Sequence, residues 1–418
     1  MPNAAPAPAG PGHEGLAQRY ARVRALTAAL AAPLSDADAT LQSMDDASPA
    51  KWHLAHTTWF FETFVLRDHL PGYRAFDPAY AFLFNSYYEA EGARLARPAR
   101  GMLSRPALAV VLDYRAHVDA AVARVLERGD AAAIIELGLA HEEQHQELLL
   151  TDIRHALWRN PLGPAMWPAE PRLRAAVVPG EGWLDHPGGI VRVGHEGPGF
   201  AFDCEGPAHD VLLRPFALSR GLVRNADWLR FMADGGYAAP GLWLSDGWDW
   251  VRRESVSAPL YWREGAQGWE RFTLSGWQSL DLLAPVSHIS FYEAEAFAAW
   301  AGARLPTEFE WEALAADGDP AGGMQLDGAG PVDPMAEGAP SLFGNCWQWM
   351  RSAYLPYPGF RPAAGAVGEY NGKFMSGQGV LRGGSCATPR GHLRATYRNF
   401  FQPEKRWQFT GLRLAKDI

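Results

Sequence analysis

Apolar and polar positions change rhythm once along this chain. Between residues 13 and 158 the apolar residues recur every three or four positions, which is the period of a helix with one buried face. Four segments carry that rhythm, 13–32, 49–68, 106–128 and 131–158. Ser35, followed by Asp36 and Asp38, reads as an N-cap with acidic residues in the first turn. Four helices of this length predict a bundle, and bundles commonly build metal sites from side chains on facing helices. The stretch 71–98, between the second and third helices, is non-helical in pattern. Its aromatics (Tyr73, Phe76, Tyr80, Phe82, Phe84, Tyr87 and Tyr88) argue for an ordered, functional connection.

After residue 158 the rhythm is lost. Pro161, Pro164, Pro168, Pro171 and Pro179 mark 159–182 as a Pro-rich linker. From 183 to 418 short β-like runs dominate, such as Gly189-Ile-Val-Arg-Val-Gly194 and Val211-Leu-Leu-Arg-Pro-Phe-Ala-Leu218, and only 225–235 and 291–301 read as helices. That pattern predicts an α+β region with many loops. The Trp-rich stretch from Trp243 to Trp250 reads as core filling.

Composition narrows the possibilities. A chain of 418 residues with 48% hydrophobic content favours two or three domains. The net charge of −9 offers no basic face for a phosphate backbone, so nucleic acid is not expected as a partner. No apolar run approaches the ~20 residues of a membrane helix. Residues 1–12, rich in Ala, Pro and Gly, read as a disordered tail rather than a signal peptide. Cys204, Cys346 and Cys386 are odd in number and far apart, which argues against a disulfide framework and for a cytoplasmic protein.

The segment His141-Glu-Glu-Gln-His-Gln-Glu147 concentrates the chemistry. Histidines four apart on a helix share a face, so both imidazoles can reach one metal ion. The same residues fit H-E-x-x-H, the zinc hydrolase helix, with Glu142 as base. They also fit an ordinary amphipathic helix with satisfied polar residues. The second predicted helix carries His53 and His56, three apart among Leu, Ala, Trp and Phe, and a third ligand is best sought there.

Longer motifs then point to one family. Ser48-Pro-Ala-Lys-Trp-His-Leu-Ala-His-Thr-Thr-Trp-Phe-Phe-Glu62, Leu83-Phe-Asn-Ser-Tyr-Tyr-Glu-Ala90, Arg97-Pro-Ala-Arg-Gly-Met-Leu-Ser-Arg-Pro106 and the 141–147 segment lie in the first part. Arg304-Leu-Pro-Thr-Glu-Phe-Glu-Trp-Glu312, Leu381-Arg-Gly-Gly-Ser385 and Tyr397-Arg-Asn-Phe-Phe401 lie in the second. In these motifs and their order the chain resembles the sulfoxide synthases of ergothioneine biosynthesis, mononuclear non-haem iron enzymes. The resemblance implies a multidomain α and α+β protein. A DinB-like four-helix bundle (13–158) would be followed by a domain (183–418) similar to formylglycine-generating enzyme and related to C-type lectins.

It also implies roles. His56, His141 and His145 would hold Fe(II), with His53 packing beside them. Three neutral imidazoles leave open positions for O₂ and a co-substrate, though imidazole also suits Zn, Cu and Ni. The reaction would join hercynine, Nα-trimethylhistidine, to cysteine or γ-glutamylcysteine with sulfoxide formation. Gln144 would bond the imidazole of hercynine, and Asn399, Phe400 and Phe401 would wall its trimethylammonium group. Tyr88, with Tyr87 as its competitor, would supply a proton or electron, and Arg97 and Asp46 would bind the donor's carboxylate and ammonium. The redox cysteines of formylglycine-generating enzymes are replaced here by Thr388 and Leu393, so the second domain is expected to act as a scaffold. Two alternatives stand beside this reading: a selenoneine synthase using a selenosugar donor, and a zinc-dependent hydrolase. In each the partners are small molecules, with neither nucleic acid nor membrane involved.

Overall fold

A computed structural model describes residues 14–169, 182–336, 341–363, 368 and 371–418. The expected tail at 1–12 and most of the expected linker, 170–181, lie outside the described residues. The four anticipated helices are present as Leu16–Ala31, Ala50–Phe61, Leu108–Arg128 and Ala132–Arg159. The second runs on through a π-helical turn, Glu62–Leu66, into Arg67–His69. The 71–98 connection is ordered and holds two short helical pieces, Tyr80–Leu83 and Glu89–Glu91, with a third, Arg97–Met102, following on.

The second and fourth helices are the ones that must meet, because they carry the histidines. Gly138 allows them to meet closely. A Cβ there would lie 2.6 Å from Phe61 Cε1 and 2.9 Å from Phe60 Cε1. The glycine that interrupts an otherwise good helical sequence is thus the point where the rings of Phe60 and Phe61 pack on the fourth helix. Every residue of the second helix from Ala50 to Phe61 is buried, as expected of a helix wrapped on all sides.

Beyond the linker the described residues form four small sheets. The largest orders Asn399–Phe401, Gly379–Arg382, Trp347–Ala353 and Thr410–Gly411, and presents Asn399, Phe400 and Phe401 along an edge strand. The run 211–218 is broken at Arg214-Pro215 into His209–Leu213 and Phe216–Ser219, as a proline without an N–H requires. Two helices beyond the two expected appear, Ser245–Glu254 and Glu308–Ala315. The first is the Trp-rich stretch; it buries Trp250 and fits Gly247 against Tyr292. The second starts at a capping box, Thr307 with Glu310.

The bundle's apolar core does not stop at the domain boundary. Tyr261, Phe272, Leu274, Leu326, Cys386 and Phe409 of the second domain belong to the same buried cluster as the helices. The described part of the linker packs too, with Met166 and Trp167 both donating backbone N–H to Leu274 O. No helix among the described residues is long and apolar enough to cross a membrane.

Gly138→Ala should lower stability although alanine is the better helix former by ~1 kcal/mol. Overpacking against the rings of Phe60 and Phe61 costs about 1–3 kcal/mol and outweighs that gain. A urea midpoint shifted downward is the expected result. An upward shift would show that the two helices have room to spare.

Candidate metal centre and interdomain cleft

His56, His141 and His145 come together: one ring nitrogen from each lies within 4.8 Å of the others, and all three residues are buried. His56 is clamped between Trp52 and Trp59, stacked at 4.6 and 5.6 Å between ring centroids. Its Nδ1 donates to the Phe84 carbonyl at 2.6 Å, which leaves Nε2 as the lone-pair nitrogen. Phe60 packs against the His141 ring at 5.0 Å. Burial first, and then the neighbouring His141, pushes the pKa values of His56 and His145 well below the ordinary imidazole range. Burial brings His141 down to about 3. Three neutral, converging imidazoles at this spacing fit a divalent transition metal.

Glu142, the H-E-x-x-H glutamate, points elsewhere. One residue on from His141 turns about 100° around the helix axis, and its side chain enters the bundle core. There it accepts from Arg24 Nη1 at 2.7 Å, Arg115 Nη2 at 2.8 Å and Thr27 Oγ1 at 2.6 Å. Burial alone would raise its pKa, but Arg115 and Arg24 hold it down at about 2. A carboxylate so engaged cannot serve as a base at the metal. The zinc-hydrolase reading therefore loses its catalytic group.

The next turn of the same helix faces the second domain. Glu143 accepts from His392 Nδ1 (2.9 Å) and Arg19 Nη2 (3.0 Å). Gln144 Nε2 donates to Tyr397 Oη at 2.6 Å. Glu147 accepts from Trp347 Nε1 (2.8 Å), Ser385 Oγ (2.5 Å) and Thr388 Oγ1 (2.7 Å). Thr388 is thus a docking contact for the histidine helix.

Between the domains lies a cleft of about 250 Å³. His145 and Gln144 form part of its lining, with Tyr87, Arg97, Asp46, Asn399, Phe400 and Phe401. Phe400 stacks on Tyr354 at 4.2 Å, and Phe401 meets Trp407 edge-on at 5.4 Å. Asn399 Oδ1 accepts from the Phe400 N–H. Tyr88 is set back from the cleft, fully buried against Trp59, Phe60 and Phe64 at 5.6, 6.5 and 5.3 Å. Hydrogen bonds between Asn85 and the backbone of Tyr88 hold that turn. Tyr87 carries its carbonyl to the Lys373 ammonium of the second domain.

Three groups in or beside the cleft were not anticipated. Arg100 is buried and lies flat on Trp52, its Cζ 3.4 Å from the ring centroid. Its hydrogen bonds run to the hydroxyls of Ser48 (2.9 Å) and Ser86 (3.1 Å), and burial, with Arg97 beside it, lowers its pKa to about 9. Lys405 pairs at 2.6 Å with Asp46, which lines the cleft. Tyr397 is the partner of Gln144. Arg100 was within reach of the sequence, since it shares the Arg97-Pro-Ala-Arg100 motif; Lys405 and Tyr397 depend on the domain arrangement, which no local pattern encodes.

Comparison with known proteins agrees with this geometry. Residues 19–158 match the DinB superfamily, and 174–332 and 329–418 match the sulfatase-modifying factor enzyme 1-like domain. A hercynine oxygenase of Mycobacterium tuberculosis is 33% identical over 97% of this chain and 99% of its own. One from Mycolicibacterium thermoresistibile is 32% identical over 91% and 90%. A formylglycine-generating enzyme of Thermomonospora curvata is 34% identical over 33% of this chain and 50% of its own.

Glu142→Gln should destabilise the fold by about 3–5 kcal/mol, the usual cost of stripping one partner from a buried ion pair. The carboxylate's depressed pKa means its contribution is complete above about 4.5 and fades as pH falls toward about 2. The stability gap between wild type and variant should therefore close over that acid window. A gap that is absent at neutral pH, together with lost activity in a fully stable protein, would return Glu142 to the reaction.

Proposed function

The chain belongs to the hercynine oxygenase family, and from that premise we propose how its cleft performs the reaction. It is an oxidoreductase of ergothioneine biosynthesis that joins hercynine to a thiol with formation of a sulfoxide. The observation that carries this reading is that the three-histidine cluster opens, through His145 and Gln144, into a cleft walled by both domains. His56, His141 and His145 hold Fe(II). When bound, the iron supplies oxygen activation and a coordination position for the donor sulfur.

The protein's own groups fix the partners. Gln144, tied to Tyr397, meets the imidazole of hercynine and sets its tautomer. A trimethylammonium has no hydrogen to donate, so aromatic faces suit it; Phe400 and Phe401, backed by Tyr354 and Trp407, supply them. Arg97 and Arg100 bind the donor's carboxylate, and Asp46, released from Lys405, takes its ammonium. Arg97 and Arg100 line the cleft with Asp46, a grouping suited to the carboxylate and ammonium of an amino-acid thiol, cysteine or γ-glutamylcysteine, both of which a selenosugar lacks. Tyr88 holds the proton delivered during sulfur oxidation, and its burial keeps the phenol away from bulk water. The buried thiols of Cys204, Cys346 and Cys386 accord with a reducing cytoplasm.

Oxygen uptake by the Fe(II)-loaded enzyme should require both hercynine and a thiol, with a hercynine–thiol sulfoxide identified by mass spectrometry. Turnover with a selenosugar alone would contradict the donor assignment. Arg100→Met should raise the KM for the thiol about 10–100-fold, the loss of one charge-assisted bond of ~1.5–3 kcal/mol, and leave the KM for hercynine near its original value. Tyr88→Phe should retain iron and substrate binding but lower sulfoxide formation; an unchanged product and rate would transfer the role to Tyr87.

A further inference from the structure

His145 differs from His56 in how its second nitrogen is held. The Nδ1 of His56 donates to a backbone carbonyl of its own domain. The Nδ1 of His145 instead faces Nδ1 of His53 at 2.8 Å, and Nε2 of His53 faces Asp152 Oδ2 at 3.1 Å. Asp152 sits among donors. Its Oδ2 also accepts from the Ser48 N–H at 2.8 Å, and its Oδ1 accepts from Trp407 Nε1 of the second domain at 2.9 Å.

With His53 as a neutral imidazole, one placement of hydrogens satisfies this chain. A carboxylate only accepts, so the hydrogen of His53 lies on Nε2. Its Nδ1 is then a lone pair and can only accept from Nδ1–H of His145. That leaves the lone pair of His145 on Nε2, the nitrogen still available to a metal. We propose that His53 is a positioning residue that fixes the tautomer and ring orientation of His145. Asp152 and Trp407 anchor it, so docking of the second domain completes a metal site that the bundle alone leaves loose. This rests on the three-histidine reading of the site above. Groups hydrogen-bonded behind metal-bound histidines commonly change affinity 10–100-fold when removed.

The test uses the full-length protein and Co(II), whose visible absorption reports binding without turnover, in competition with a chelator. Wild type should bind Co(II); failure to do so would overturn the metal site itself, not merely the part played by His53. Given wild-type binding, His53→Leu should weaken Co(II) affinity about 10–100-fold. His53→Asn, whose side-chain oxygen can occupy the position of Nδ1 and accept from His145, should recover most of that loss. Trp407→Phe keeps an aromatic ring but removes the indole N–H, and should weaken Co(II) binding several-fold under conditions where the metal-free variant is fully folded. It also decides the matter should His53→Leu fail to fold. Equal affinities for the Leu variant and wild type, equal losses for Leu and Asn, or an unaffected Trp407→Phe would each overturn the proposal.

Discussion

One helix carries more buried acid than a helix can hold unaided, and the rest of the molecule is arranged to satisfy it. Glu142, Glu143, Glu147 and Asp152 all project from Ala132–Arg159 into protein, Glu142 into the bundle core and the others toward partners that include the second domain. An unpaired buried carboxylate costs several kcal/mol, so each requires donors from another element. Glu142 takes arginines from the first and third helices, and Glu143 takes Arg19 and His392. Glu147 takes the hydroxyls and indole of the second domain, and Asp152 takes His53, Ser48 and Trp407. His145 meets one of these acids, Asp152, only through His53.

That arrangement explains why a metal-binding bundle and a formylglycine-generating-enzyme-like domain act as one enzyme. The bundle offers three imidazoles, but its helix surface beside them carries polar groups, Glu143, Glu147 and Asp152, for which the second domain supplies donors. In the second domain, Thr388 forms part of the socket for Glu147. What this domain gives to the cleft is a wall of aromatics from one edge strand and the tyrosine that holds Gln144. Substrate then binds where two surfaces meet, which is where small-molecule clefts commonly form.

Much of this was legible in the residues. The helical period located the bundle, and the i,i+4 spacing of His141 and His145 named the metal face. What distinguished His56 from His53, however, was a resemblance and not a physical rule, since both sit on one short apolar helix. Only the fold shows that His53 faces Asp152 and His145 while His56 faces the centre of the cluster. The Trp-rich helix Ser245–Glu254 was hidden by Gly247, a helix-weakening residue whose reason is its contact with Tyr292. Helix Glu308–Ala315 had a readable capping box in Thr307 and Glu310. Lys405 and Tyr397 could not be found by pattern, because their partners are 359 and 253 residues away.

X-ray absorption at the iron edge of the anaerobically loaded protein, before and after adding hercynine and thiol, tests the central claim most directly. The account predicts a first shell with the multiple scattering of three imidazoles, and a new iron–sulfur scatterer once both substrates are present. Iron without imidazole scattering, or a shell unchanged by the thiol, would contradict it.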